Sequence, residues 1–324
     1  MNILFSIHLY PPMHNCGAEY MAHSIAKHLQ SKGHQVKVLL HQANHYRITN
    51  NYNFDGVDVF PPNQNVIDGL MRWSNAVITH LDYTHWSIGV TNLYKKPLFH
   101  LIHNSHKYPE IINAQNTQFV VYNSKWIKSD LNYEWDNFTL TPPVDFRDYD
   151  LGLDSEANEY ITLINLNENK GGKIFEQIAR ALPYKRFLGV LGSYDEQIIP
   201  KLENVNIVPN SASIKPIYGM TRILLMPSKY ESWGRTATEA MSNGIPVICS
   251  EADGLKENCG YAGIFIKNRD NVQSWIEAIK KLDDKKTYSD ASRKSRKRAQ
   301  DHDPSKALDE FEEWMREKVN KYYK

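Results

Sequence analysis

Short β-branched apolar runs alternate along this chain with longer stretches whose apolar residues recur at helical spacing. Ile3–Ile7 reads as a buried strand. A loop with Pro11, Pro12 and Gly17 follows, and Ala18, Met21, Ala22, Ile25 and Leu29 then share one face of a helix. Lys32-Gly33-His34 supplies the basic last turn and the glycine that close a helix, and Val36–Leu40 is the next strand. Strand, helix and strand within about 40 residues make a βαβ unit, whose parallel strands take a right-handed crossover. Further strands are expected at Ala76–His80, Leu98–Ile102 and Phe119–Tyr122. The rhythm lapses in the turn-rich, acidic stretch Thr141–Asp154. It resumes with strands at Tyr160–Leu166, Arg186–Leu191, Val205–Val208, Arg222–Met226 and Pro246–Ser250, and ends in helices that include Ser305–Tyr322. Two α/β runs around a linker predict two doubly wound domains, with ligands at the carboxyl ends of their strands.

The length of 324 residues agrees with two domains, and 41% apolar with 23% charged residues is the composition of a folded globular chain. Thirty-eight Lys and Arg against 37 Asp and Glu leave a net charge of +1, which argues against a protein that coats nucleic acid by bulk charge. The longest apolar runs, such as Val36–Leu40 and Ile223–Met226, are strand-sized, so no membrane-spanning helix is predicted. Met1-Asn2-Ile3-Leu4-Phe5 has no basic region and does not read as a signal peptide. Cys16, Cys249 and Cys259 show no C-x-x-C spacing and fit reduced thiols in a cytoplasm.

The richest chemistry lies between Pro227 and Ala240, after a strand and at the start of an apolar helix pattern. Gly234 permits close backbone approach, and the helix after it offers unpaired N–H groups and a positive dipole end, a ready anion site. Glu239 falls about five residues past Gly234, roughly 7.5 Å along the helix axis. Glu231 sits in the loop before it. One carboxylate on either side of an anion site suits a ligand with hydroxyls at both ends and phosphates between, the form of a nucleotide sugar. The spacing alone is read more readily as two surface glutamates that cap and solubilise a helix.

The surrounding residues add to this. Pro227–Val247 resembles, almost throughout, the P-S-x-x-E-[S/G]-[F/W]-G-x-x-x-x-E-A-M-x-x-G-x-P-V pattern of retaining glycosyltransferases of family 4. Gly254-Leu255-Lys256-Glu257 is similar to the G-x-x-E that follows it. Tyr10-Pro11-Pro12, Gly17-Ala18-Glu19 and Lys32-Gly33-His34-Gln35-Val36 resemble that family's first loop, helix and second strand. The resemblance implies an α/β fold of the GT-B type, with two doubly wound Rossmann-like domains whose parallel sheets face a central cleft. Residues 1–150 would form the acceptor-side domain and 151–304 the nucleotide-sugar domain, with 305–324 a helix crossing back to the first.

The same resemblance implies the roles of particular residues. Glu239 would bind the donor ribose and Glu231 the donor sugar. The Ser232, Trp233, Gly234, Arg235 and Thr236 stretch would line the donor site, its backbone near Gly234 and Arg235 taking the diphosphate. Gly17 would lie beneath the reacting centre. Lys170, in a glycine-rich turn after a strand, matches a lysine that neutralises the leaving diphosphate, and a fixed cation there stabilises the charge that develops as the glycosyl–phosphate bond breaks. Asn165, also at the donor site, departs from the arginine common at that position. His103 follows Leu98–Ile102 where a histidine stands near the donor sugar.

Other groups carry less. His80 and His106 read equally well as polar surface. His8 and His14 flank the first loop and could face an acceptor; no H-x3-H or paired Cys/His spacing supports a metal. Asp148-Tyr149-Asp150 and Asp301-His302-Asp303 match the D-x-D of metal-dependent glycosyltransferases but follow no strand, so no metal site is expected. Ser292–Arg298 holds five cations in seven residues, Arg293, Lys294, Arg296, Lys297 and Arg298. These read first as a solvated helix face, with contact to an anionic membrane surface or a nucleic-acid acceptor as the alternatives. Trp73, Trp86, Trp126 and Trp135 read as core ahead of an acceptor groove.

The expected activity is retaining transfer of a sugar from a nucleotide-diphosphate sugar, as co-substrate, to an acceptor hydroxyl, with no cofactor and no catalytic metal. The acceptor stays open among a glycan, a lipid-linked sugar, a small molecule and a modified nucleic acid. The expected location is cytoplasmic, with peripheral membrane attachment through the basic run as a variant. The competing class is a non-catalytic nucleotide-sugar-binding subunit of a partner enzyme, which Asn165 favours.

Overall fold

Strands with apolar residues at consecutive positions are buried on both faces, and here they assemble into two sheets dominated by parallel pairs. The computed structural model describes residues 1–14, 16–107, 118–211 and 213–324. Met1–Pro143 with Pro304–Lys324 forms one unit and Val144–Asp303 the other. The first unit contains β1 (Asn2–Ile7), β2 (Gln35–Leu40), β3 (Tyr52–Phe54), β4 (Val57–Phe60), β5 (Ala76–His80), β6 (Leu98–Ile102), β7 (Gln118–Tyr122) and β8 (Asn137–Thr139). Their order across the sheet is β3-β4-β2-β1-β5-β6-β7-β8, and only β3–β4 is antiparallel. The second unit contains β9 (Tyr160–Ile164), β10 (Arg186–Val190), β11 (Val205–Val208), β12 (Thr221–Met226), β13 (Val247–Ser250) and β14 (Ile264–Ile266). Their order is β11-β10-β9-β12-β13-β14, parallel throughout.

The expected strands occur within a residue or two of their predicted ends. The additional ones, β3, β4, β8 and β14, are three or four residues long, too short for a period-2 pattern to register. The β3–β4 turn does carry a local signal: Asp55-Gly56, both at positive φ (49° and 79°), is the Asp-Gly pair that a two-residue hairpin turn favours.

In the first unit, Ile3, Phe5 and Ile7 of β1 enter one core and Leu4 the opposite one, as strand alternation requires. The helix Ser305–Tyr322 adds Leu308, Phe311, Met315 and Val319, a stripe at helical spacing, to the first of these cores. Its Trp314 packs edge-on against Phe99 and Phe119. Trp73, Trp86, Trp126 and Trp135 pack, partly buried, against the opposite core and are structural. In the second unit Phe175, Phe187 and Trp275 anchor one face, and Leu224, Ala237, Met241 and Leu255 the other.

The basic run is not one solvated face. In the helix Lys285–Asp301, Arg296 turns inward to Asp150 (3.1 Å) and the Leu153 carbonyl (2.9 Å), and Arg298 donates to the Asn258 and Glu257 carbonyls at 2.7 and 2.6 Å. Helical geometry sends residues with Ser295 and Ala299, both fully buried, toward the core, so the five cations diverge. Carboxylates of both D-x-D sequences are ion-paired: Asp150 with Arg296, Asp301 with Lys297 and Asp303 with Arg147. Among the described residues no helix is long and apolar enough to cross a membrane.

What positions the candidate site is the reversal of strand order in each sheet. From β1 the chain builds outward through β2 and returns to place β5 on the other side. From β9 it builds through β10 and β11 and returns to place β12. Loops leaving two such neighbours diverge and open a crevice at their carboxyl ends. The β1/β5 and β9/β12 boundaries are therefore where each unit has room for chemistry.

Candidate functional site

At the β9/β12 boundary two loops are fastened together. The Lys229 N–H donates to the Asn169 carbonyl at 2.8 Å, and Asn169 Nδ2 donates to the Tyr230 carbonyl at 3.4 Å. Gly171 makes the approach possible: its φ is 92°, and a Cβ there would meet the Pro227 carbonyl oxygen at 2.6 Å. The loops bring Lys170 Nζ to 2.5 Å from Glu231 Oε1, which also accepts from Ser228 Oγ at 2.9 Å. Both ionic side chains are largely withdrawn from water, at 19% and 8% exposure. A low local dielectric strengthens that pair and holds the ammonium in a fixed place.

The helix Arg235–Ser242 begins at Gly234, whose φ is 85° and where a Cβ would strike Leu255 Cδ2 at 2.6 Å. Glu239 is buried on it, and both its oxygens are held: Arg235 Nε donates to Oε1 at 2.6 Å and the Tyr218 hydroxyl to Oε2 at 2.7 Å. Arg235 also donates to the Tyr149 hydroxyl at 2.8 Å. Burial and the Glu239 carboxylate push the Tyr218 hydroxyl well above its usual range, so it stays protonated and donates to that carboxylate. Each Glu239 oxygen keeps a second lone pair, so the carboxylate can still accept from ligand hydroxyls. The sequence reading used the backbone at Arg235 for a diphosphate; the Arg235 side chain is turned one helical turn forward onto Glu239, the i,i+4 partner. The ring of Trp233 is buried beside His302, and Thr236 Oγ1 reaches Met226 Sδ at 3.8 Å.

Asn165 lies just after β9 at φ 69°, a left-handed conformation that asparagine tolerates better than most residues. Its Oδ1 accepts from Gln197 Nε2 at 3.0 Å and from the Asn167 N–H at 3.2 Å. Gln197 Oε1 in turn accepts from the Leu166 and Gly192 N–H groups, each at 2.8 Å. The amide is thus committed to shaping the Lys170 loop. Gln197 had no sequence signal, because its partners come from a different βα loop.

A second constellation occupies the β1/β5 boundary of the other unit. His8 follows β1, His80 ends β5 and His103 follows β6, three strands adjacent in the sheet. His103 Nε2 lies 3.0 Å from His80 Nδ1, His80 Nε2 lies 3.1 Å from His8 Nδ1, and His8 Nε2 lies 3.0 Å from Glu19 Oε1. His14 Nδ1 approaches the other Glu19 oxygen at 3.5 Å, and His14 Nε2 lies 3.8 Å from Cys16 Sγ. Glu19 is on the helix Gly17–Ser31, and Gly17 opens that helix with nothing within 4 Å of a Cβ built there. His106 is exposed.

His8, Glu19 and His80 offer ligand atoms within 4.8 Å of one another, as do His14, Cys16 and Glu19. Proximity alone would admit a metal ion. In the first group, however, the His8 ring lies between the other two, one nitrogen facing each. A single ion takes one nitrogen of a histidine, whereas both His8 nitrogens are in contact here, the arrangement of a chain of hydrogen bonds.

The charges follow from these contacts. Burial alone would raise the Glu19 carboxyl, but hydrogen bonds from His14 and His8 outweigh it and hold the group well below the usual carboxylate range. Burial lowers His14, yet its bonds to Cys16 and Glu19 carry it up to about 10. Burial, reinforced by neighbouring His103 and His8, pushes His80 well down, and burial takes His103 down to about 4. His14 and Glu19 therefore form an ion pair beside neutral His80 and His103. A raised histidine stabilises fully below its unfolded value near 6.5 and ceases to do so as pH rises through its folded value; the depressed carboxyl acts above about 4.5 and fails in acid. The denaturant midpoint should therefore decline between about pH 7 and pH 10, and His14→Gln should flatten that decline. Parallel pH profiles for the two proteins would show no case for the pair.

Residues 152–298 match the family model described as "Glycosyl transferases group 1". A curated relative, an uncharacterized glycosyltransferase of Methanocaldococcus jannaschii, is 26% identical over 182 residues, 49% of this chain and 44% of that protein. The chain spans less than half the length of the curated relatives it matches. Sucrose-phosphate synthase from Thermosynechococcus elongatus superposes with a TM-score of 0.76 at 14% identity, covering 98% of this chain and 99% of that one. Anabaena HepE, solved in complex with UDP and glucose, superposes with a TM-score of 0.76 at 15% identity, covering 98% and 100%. The chain has the GT-B fold, and its residues 152–298 are similar to the glycosyl transferases group 1 family.

Proposed function

We propose that this protein is a nucleotide-sugar-dependent glycosyltransferase of family 4 type that moves a sugar to an acceptor hydroxyl with retained configuration and without a catalytic metal. The observation that carries the reading is the Lys170–Glu231 pair at the β9/β12 boundary, with Glu239 one helix start away. Glu239 takes the ribose hydroxyls, Glu231 the sugar, and the backbone at Gly234 the diphosphate. Lys170 stabilises the phosphate charge that grows as the glycosyl bond breaks. Its fixed position matters because a preorganised cation costs no reorganisation at that moment. HepE, with UDP and glucose bound, supports a nucleotide sugar as donor.

Thermal stabilisation by UDP-, GDP- and ADP-sugars tests the donor site, since a ligand at 100 times its Kd adds about 2.7 kcal/mol. One class should stabilise; none doing so would end the reading. Transfer, or slow donor hydrolysis, should then persist in EDTA. Complete loss on chelation, restored by Mg²⁺ or Mn²⁺, would return a D-x-D or another acidic pair to consideration. A non-catalytic binding subunit is the second reading, because the Asn165 amide stands where an arginine is usual. Donor binding without any hydrolysis or transfer would favour it.

A further inference from the structure

We infer that Glu19, His8 and His80 are positioning residues that set the tautomer of His103, so that His103 presents Nδ1 to substrate as a hydrogen-bond acceptor. The use of that nitrogen rests on the proposed reading of His103 as a donor-sugar contact; the relay itself does not.

The direction follows from counting protons. Glu19 is ionised and can only accept. His8 must therefore donate from Nε2, which leaves its Nδ1 as a lone pair. His80 then donates from Nε2 to His8 and keeps its Nδ1 as an acceptor. His103 must donate from Nε2 to that atom, and its own Nδ1 is left with a lone pair. Three contacts at 3.0, 3.1 and 3.0 Å are satisfied by the three N–H groups of three neutral imidazoles. The opposite polarity would aim an imidazole lone pair at the Glu19 carboxylate. Adding a proton would place positive charge in a region where His80 is fully buried.

The fold holds this order in place. His8, His80 and His103 come from the carboxyl ends of three neighbouring strands, β1, β5 and β6, and successive ring centroids are 5.0 Å apart. Among the described residues, the titratable groups facing the relay include Glu19, His14 and His41 near His8, with Cys16 beyond His14. The His14 contact engages the second Glu19 oxygen and keeps the carboxylate from turning away. An acceptor nitrogen of fixed tautomer orients a sugar hydroxyl, which must offer its hydrogen to Nδ1; no proton leaves the relay.

The test uses the full chain labelled with ¹⁵N-histidine, the His103 ring being assigned by the signals missing in His103→Asn. Long-range proton–nitrogen correlations at about pH 7.5 should show His103 protonated at Nε2 and bare at Nδ1. In His80→Phe, which keeps an aromatic ring but breaks the chain, that single pattern should give way to exchange between tautomers. With the stabilising nucleotide sugar, kcat should fall at least about tenfold while donor KM stays within about threefold. His8→Phe breaks the relay one ring further out and should behave alike if His80→Phe does not fold. A wild-type His103 protonated at Nδ1, a His103 pattern unchanged in the folded variants, or an unchanged kcat overturns the proposal. Failure of every nucleotide sugar to stabilise the wild type would instead retire the donor reading, while the nitrogen shifts of the unliganded protein still decide the relay.

Discussion

Lys170→Ala is expected to lower kcat by roughly 10²–10³-fold and kcat/KM with it, with little change in donor KM. An interaction made mainly in the transition state has that kinetic signature, and the Lys170 ammonium should matter most when the diphosphate carries its greatest charge. The structure sharpens the expectation in two ways. Asn165, where a second cation is usual, is a neutral amide bound to Gln197 and the Asn167 N–H. Arg235 and Lys173 are engaged elsewhere, Arg235 with Glu239 and Lys173 with Glu168. Removing Lys170 also leaves Glu231 buried with Ser228 and without the ammonium, so thermal unfolding of the variant should be measured beside its kinetics. A folded Lys170→Ala protein with kcat within threefold of the parent would sink the proposed mechanism.

Glu239→Ala should weaken donor binding by about 10- to 100-fold, measured as Kd by titration with the stabilising nucleotide sugar. One hydrogen bond to a charged group contributes about 1.5–3 kcal/mol, and each 1.4 kcal/mol is a factor of ten. The substitution also strands two buried donors, Arg235 Nε and the Tyr218 hydroxyl, which now share the carboxylate. Glu239→Gln separates the two effects. It keeps an oxygen for Tyr218 and the size of the side chain while removing the charge, so its unfolding temperature should lie nearer the parent than that of Glu239→Ala. Unchanged Kd in both folded variants would remove Glu239 from the donor site.

Much of the molecule is legible without coordinates, and for local reasons. Consecutive apolar residues in β1, β5, β6, β9 and β12 mark strands buried on both faces, and Leu308, Phe311, Met315 and Val319 mark the inner stripe of the last helix. Lys170, Glu231, Gly234 and Glu239 lie in two short segments, and it is the resemblance of those segments to a known pattern that points to a phosphorylated, hydroxyl-rich ligand. Even the Arg235–Glu239 contact is an i,i+4 relation readable on a helix. Chemistry concentrated within one loop and one helix turn survives in the linear order.

Only the tertiary structure could assemble the rest. Sheet order places β5 beside β1 and β6 beside β5, and that adjacency lines up His8, His80 and His103, which no spacing in the chain connects. Glu19 joins them from a helix whose apolar periodicity concealed a buried carboxylate. Tyr218 reaches Glu239, and Gln197 reaches Asn165, from separate βα segments. Arg296 and Arg298, which read as surface charge, turn inward because carbonyl groups distant in sequence are folded beneath them. The sequence by itself determined the elements, their apolar faces and the compact donor motif, since those depend on neighbours along the chain. The alignment of His8, His80 and His103 and the Lys170–Glu231 pair were decided by parallel strand order, because hydrogen bonds act over about 3 Å in space regardless of separation in sequence.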